Sequence, residues 1–167
     1  MEYKQIRIVI GLLLVVSIFC CQCSSESKTK KDYDFYDYAR TFDLYRIPII
    51  EPYQLISADN YAWELKLQNK ELDRMKSISN IDSIGVDGNV FVLYSPLIYI
   101  PGGMTKAWFV IDASTKKAEY FTSVGKYLWR ISEKNIPKIK LHSTKQVYDD
   151  FSNKAKLPSE WPMQPNR

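Results

Sequence analysis

Three cysteines, one histidine and a scatter of carboxylates are the residues of this 167-residue chain with the most chemistry to offer. Cys20, Cys21 and Cys23 crowd together, and no cysteine follows them. A disulfide scaffold or a thiol enzyme would spread its cysteines along the chain. His142 is the lone histidine, so no Cys/His set with zinc-site spacing can be assembled. A Ser–His nucleophile pair would have to use it. It lies in a Lys- and Ser-rich stretch and reads as a surface or interface residue. Ser-x-x-Lys, a spacing at which lysine can activate serine, occurs at Ser25/Lys28, Ser114/Lys117 and Ser123/Lys126. Its companion motifs S-D-N and K-T-G are missing, and repeated hits in a Lys- and Ser-rich chain are coincidence. Neither G-x-G-x-x-G nor G-x-x-x-x-G-K-[ST] occurs, so no phosphate loop is present. Paired carboxylates for glycosidic chemistry would need to stand about 5 to 10 Å apart in a cleft. Glu51, Glu64 and Glu119 lie in or beside strand patterns and could converge, but nothing in their spacing says so. Asp149 and Asp150 are adjacent on a helical pattern and point different ways. The expectation is no catalytic residue, no metal site and no cofactor.

The elements that would position these groups are mostly strands. Leu44–Ile47 and Ile49–Ile50 are β-formers, with Pro48 and Pro52 confining them to an edge or bend. Tyr53–Ile56 and Tyr61–Leu67 read as strands joined by a turn at Ser57-Ala58-Asp59-Asn60. In the second run Tyr61, Trp63, Leu65 and Leu67 recur at every second position, the period of a half-buried strand. Asn69–Met75 suits one helical turn. Ile78–Val86 and Val90–Ser95 flank Asp87-Gly88-Asn89, a strong hairpin signal. Pro96–Met104 reads as a loop. Ala107–Ile111 and Ala118–Phe121 form a second hairpin. Two helices follow. Val124–Lys134, with Ser123 as N-cap, puts Tyr127, Leu128 and Ile131 on one stripe. Thr144–Ala155 puts Val147, Tyr148 and Phe151 on one face. Trp63, Trp108 and Trp129 fall within these patterns and are expected in the core. Trp161 lies in a tail with Pro158, Pro162 and Pro165 and is expected to be exposed. The order of elements predicts an α+β domain: an antiparallel β-meander sheet with two C-terminal helices packed on one face.

The N-terminus has a different character. Lys4 and Arg7 precede an apolar run, Ile8–Phe19, of the length of a signal-peptide h-region. The run is short of the ~20 apolar residues that cross a bilayer. The cysteine cluster sits at its end. This arrangement resembles a bacterial lipoprotein signal, in which a cysteine just after the h-region carries the lipid. Cys21 fits that pattern best, having Ile18 three positions before it and the small Cys20 immediately before; Cys20 and Cys23 are the alternatives. The resemblance covers these two dozen residues and implies a lipid anchor with several acyl chains, which suffices for stable membrane attachment. The alternatives are an uncleaved single-pass N-terminal anchor and ordinary cleaved secretion. Ser24–Lys31 is small and polar and suits a tether. The expected organisation is a signal peptide at 1–20, a membrane-proximal tether at 21–41, one domain at 42–156 and a Pro-rich tail at 157–167. Within the tether, the acid–aromatic alternation of Asp32–Tyr38 suits an extended edge segment, or the end of the tether packing loosely on the domain.

Charge is uneven. Acids exceed bases from Asp32 to Thr105, and bases exceed acids from Lys106 to Arg167. The basic residues are scattered and form no block of the kind that nucleic-acid arms carry, which argues against nucleic acid. Export, an anchor, small size and the missing catalytic sets point to a non-enzymatic binding or accessory module in the cell envelope, of the inhibitor or immunity type, with a protein partner. The alternative is an envelope structural or assembly factor whose basic C-terminal half meets lipid or polysaccharide. A small carboxylate-based hydrolase is the remote third reading. No small-molecule substrate is implied.

Overall fold

A computed structural model describes residues 35–36, 39–41, 43–67, 72, 75–136 and 139–162. The expected signal peptide, its three cysteines and the polar tether lie outside the described residues, as does most of the Asn69–Met75 turn. Among the described residues no helix is long and apolar enough to cross a membrane.

The described chain is α+β with antiparallel strand pairing throughout. Strands β1 (Arg40–Thr41), β2 (Leu44–Ile50), β3 (Tyr53–Ser57), β4 (Glu64–Lys66) and β5 (Ser77–Ile78) form one sheet in that order. Strands β6 (Ser83–Asp87), β7 (Val90–Ile100), β8 (Gly103–Asp112), β9 (Lys117–Phe121) and β10 (His142–Ser143) form another, with β10 added beside β6. The sequence suggested a single sheet. There are two because Ile78–Val86 is not one strand. Ser77 and Ile78 pair with β4, Ser83–Asp87 pair with β7, and Asn80 turns the chain between the sheets at φ 53°. That left-handed conformation is one asparagine tolerates better than most residues.

The expected loop Pro96–Met104 is instead the far half of a long hairpin. β7 runs on to Ile100 and β8 begins at Gly103. Pro96 escapes the hydrogen-bonding ladder because a bulge lies between Ser95 and Ile98, setting two residues against one on β8. At the bulge and beyond it this hairpin shows Leu97, Tyr99 and Met104 to solvent.

The main core is shared by both sheets. Ile47, Ile49, Leu55, Leu65 and Ile78 from the first meet Ile84, Phe91, Leu93, Phe109 and Ile111 from the second. The rings of Tyr53 and Phe91 lie 5.1 Å apart across this layer. β7 and β8 are buried on both faces at Phe91–Leu93 and Phe109–Ile111, which explains their unbroken apolar runs.

Helix α1 (Val124–Glu133) covers the other side of these strands: Tyr127, Ile131 and Ile139 cluster with Val92 and Val110. Helix α2 (Thr144–Lys154) sends Val147, Tyr148 and Phe151 into the main core instead. The helices therefore serve different clusters. Leu128, expected on the buried stripe of α1, is 45% exposed, because Tyr127 and Ile131 one turn apart already fill the contact.

The tryptophans require a correction. Trp129 is 64% exposed on the outer side of α1, whereas Trp161 of the Pro-rich tail is buried in the main core beside Leu157. Tyr61 also departs from the expected alternation. Its segment is a bend rather than a strand, and the ring is 78% exposed. Phe35 and Tyr36, in the stretch read as an edge segment or as the end of the tether on the domain, pack on the domain: the Arg46 guanidinium lies over the Phe35 ring at 4.9 Å, and the Glu51 N–H donates to the Tyr36 hydroxyl.

Candidate functional site

The carboxylates singled out by sequence do not converge. Glu51 is exposed in the β2–β3 turn, and Glu64 lies on β4 of the first sheet. Glu119 lies on β9 of the second sheet, where Arg130 and Lys134 hold it from α1. Asp149 and Asp150 each accept from a lysine one helical turn away, Lys145 and Lys154. Among the described residues, no three His, Cys, Asp or Glu side chains cluster closely enough to hold a metal ion.

Two clefts flank the start of α2, and Ser143 lines both. The first, about 550 Å3, runs between β10, one side of α2 and the tail. His142 is half-buried here, and its Nε2 stands 2.5 Å from Glu160 Oε1. Lys140 approaches the same oxygen at 3.9 Å. The Glu160 carboxyl is held below its ordinary value, by its own backbone N–H first and then by His142. Asp150 also lines this groove, so two carboxylates do share a cleft. Both are tied to cations, and Glu160 is shifted in the direction opposite to that of a general acid. Sequence reading passed over Glu160 because it lies in the tail, where no periodicity marks it.

The second cleft, about 380 Å3, lies between the Asn60–Trp63 bend, the crossing at Asn80–Asp82, Pro96 and the first residues of α2. Its walls are fixed by local hydrogen bonds. Asp59 Oδ1 accepts from the N–H groups of Tyr61 and Ala62, each at 2.9 Å, and from the Ser57 hydroxyl at 3.0 Å. Those bonds, from Ala62, Tyr61 and Ser57, hold the Asp59 carboxyl below its ordinary value. The buried Ser57 Oγ accepts from the Asn60 N–H at 2.9 Å, fixing Asn60 at φ 66°. Opposite, Thr144 Oγ1 donates to the Ile81 and Asp82 carbonyls, each at 3.1 Å, and the Thr144 N–H donates to the Asp82 carbonyl at 2.8 Å. Asn80 Nδ2 donates to the Leu97 carbonyl at 2.9 Å.

Among the described residues two buried atoms of this cleft's lining lack a hydrogen-bond partner: the Trp63 Nε1–H donor and the Asn60 Oδ1 acceptor. A buried polar group left unpaired costs about 1–3 kcal/mol. The sequence signal for this site was present but indistinct. Ser-Ala-Asp-Asn reads as a turn, and nothing in it says that the turn aims a tyrosine at solvent. In comparison with known proteins, the chain matches no family model, no curated protein and no solved structure.

Proposed function

We propose that this chain is a membrane-anchored protein of the bacterial cell envelope whose domain is a non-enzymatic binding module for a protein partner, of the accessory, inhibitor or immunity type. The observation that carries the reading is the outer face of α1. Val124 and Leu128, one helical turn apart, are 51% and 45% exposed, and Trp129 beside them is 64% exposed. Exposed clusters of large apolar side chains mark interaction sites. Tryptophan is among the residues most enriched where partners bind. Tyr127 and Ile131 anchor the other side of the helix, so this face rests on a rigid element.

The N-terminal pattern ending in Cys20, Cys21 and Cys23 supports the anchor, with lipid attached at Cys21. Mass spectrometry of the mature protein is expected to find an N-terminal Cys21 carrying diacylglycerol; an intact Met1 overturns the lipid anchor. For the partner, the full chain is purified from detergent-solubilised envelope. One stoichiometric protein is expected to copurify, and to be lost with Trp129→Ala while the circular-dichroism spectrum is unchanged. Salt-sensitive binding to lipid or polysaccharide alone, with no protein partner, overturns the reading in favour of an envelope structural factor.

A further inference from the structure

Among the described residues, the far end of the β7–β8 hairpin is exposed on one face. β6 pairs with β7 only as far as Tyr94, and β9 pairs with β8 only as far as Trp108. From there to the turn at Pro101-Gly102 the second sheet continues as two strands. Ile98 and Ile100 turn one face of this ribbon into the main core. The other face carries Leu97, Tyr99 and Met104, which are 52%, 73% and 56% exposed, with Tyr99 directly across from Met104. Lys106, two residues on from Met104, shares that face by the alternation of the strand and is exposed. Helix α1 covers the same side of the strands further back, at Val92 and Val110.

The composition of the ribbon selects its occupant. Residues 88–111 contain one charged residue, Lys106, in a chain of which 25% is charged. Burial accounts for this at 91–93 and 109–111, but not at the exposed positions, where a strand facing water carries charge. A protein interface is the poorer match. It takes about 20–30 residues a side with a polar rim, whereas the ribbon end offers three large apolar side chains. A bilayer matches what is present. Tyrosine seats at the headgroup level, leucine and methionine reach below it, and lysine meets anionic phosphates. Lys106 stands about 10 Å along the strand from Gly103, and an apolar face enters the headgroup–acyl boundary by about 5–10 Å, so the ammonium falls at the height of the phosphates.

We infer that the hairpin end docks on the lipid bilayer, with Leu97, Tyr99 and Met104 at the headgroup–acyl boundary and Lys106 among the phosphates of anionic lipid. The inference rests on the reading of the N-terminus as an anchor, which brings a bilayer within reach. Fourteen residue steps lead from Cys21 to Phe35, and they span at most ~50 Å. A compact domain of ~130 residues is ~35 Å across, so that length lets the hairpin meet the surface. Anchor and hairpin together would fix which side of the domain faces the membrane.

The full chain, labelled with 13C-methyl methionine, is placed in nanodiscs of phosphatidylcholine and phosphatidylglycerol, with and without a lipid carrying a nitroxide near the top of its acyl chain. The Met104 resonance is identified by its loss in Met104→Leu, and Met75, packed against the main core, is the internal reference. The nitroxide lipid is expected to broaden Met104 severalfold more than Met75. Tyr99→Asp is expected to abolish the excess, and Tyr99→Phe and Trp129→Ala to keep it. Because Tyr99 is exposed, its replacement tests the surface rather than the fold. Flotation with vesicles of the same lipids reads the anchor separately, and Tyr99→Asp is expected to float as the unaltered chain does. A chain that does not float overturns the anchor and the docking with it. A chain that floats with Met104 no broader than Met75, or equally broadened in Tyr99→Asp, overturns the docking alone. Loss of a dimer or of a copurifying protein in Tyr99→Asp, with Met104 untouched by the lipid probe, overturns it in favour of a second copy or a protein partner.

Discussion

At the scale of single residues, Glu119 is the most strongly perturbed acid among the described residues whose shift has a resolved magnitude. Arg130 grips both of its oxygens, Nε at 2.7 Å and Nη2 at 2.8 Å, and Lys134 Nζ adds a third contact at 2.7 Å. These bonds, the Arg130 pair foremost, bring its pKa down from 4.5 to about 2 against the opposing effect of partial burial. The sign follows from linkage. A carboxylate with a folded pKa below its unfolded one stabilises the fold above the unfolded value, and loses that contribution as pH falls through the folded value. The pair is about 30% exposed, so solvent screening cuts the contribution well below the full shift, to about 1–2 kcal/mol. Glu119→Gln is therefore expected to lower stability by about 1–2 kcal/mol at pH 7 in urea unfolding. The gap between the two proteins should narrow from pH 4.5 downward and close near pH 2. A gap of constant size across that window would mean that the side chain acts through packing and not through charge.

At the scale of elements, the docking of the 139–141 segment on β6 depends on one missing side chain. A β-carbon on Gly85 would overlap the Lys140 carbonyl oxygen and the Ile139 side chain. Gly85→Ala must push this segment away, and β10, which follows it, carries His142 of the first cleft and Ser143, which lines both. The expected cost is about 1–3 kcal/mol, the range for overpacking a close contact. Thermal unfolding measures it, and a variant as stable as the parent would show that the segment shifts freely. This contact was invisible in sequence, where Gly85 is one small residue in an apolar run. What sequence did reveal were elements whose evidence is local. The Asp87-Gly88-Asn89 turn places Gly88 at φ 55°, and both helices begin where they were expected. Elements set by distant partners were missed. The division of Ile78–Val86 between two sheets, the two-residue β10 and the strand that continues past Pro96 all depend on pairings that no window of a few residues contains. The second cleft was missed for the same reason, since Tyr61, Asn80 and Lys145 meet only through the crossing between the sheets.

At the scale of the whole molecule, charge and core tell different stories. Every ion pair among the described residues joins two residues of the basic C-terminal half, so that half's charges are neutralised locally rather than against the acidic half. Apolar packing instead links the halves from end to end. The core that begins with Tyr36 closes with Leu157 and Trp161, although Ala155–Pro162 forms no helix or strand. Proline-rich composition correctly signals irregular backbone, but it says nothing about burial, and a large indole followed by Pro162 is driven inward by its area. Trp161 is 3% exposed, and its neighbour Glu160 ties the tail to β10 through His142. Trp161→Ala is thus expected to destabilise the domain by about 3–5 kcal/mol, as for a fully buried aromatic residue. Glu160→Ala, which removes only a partly exposed contact, should cost about 1 kcal/mol or less. Guanidinium unfolding of the two variants separates an apolar closure from a polar latch. Equal losses would refute the view that the tail is held chiefly by its tryptophan, and a Trp161→Ala protein as stable as the parent would mean that the tail is not part of the core's cooperative unit.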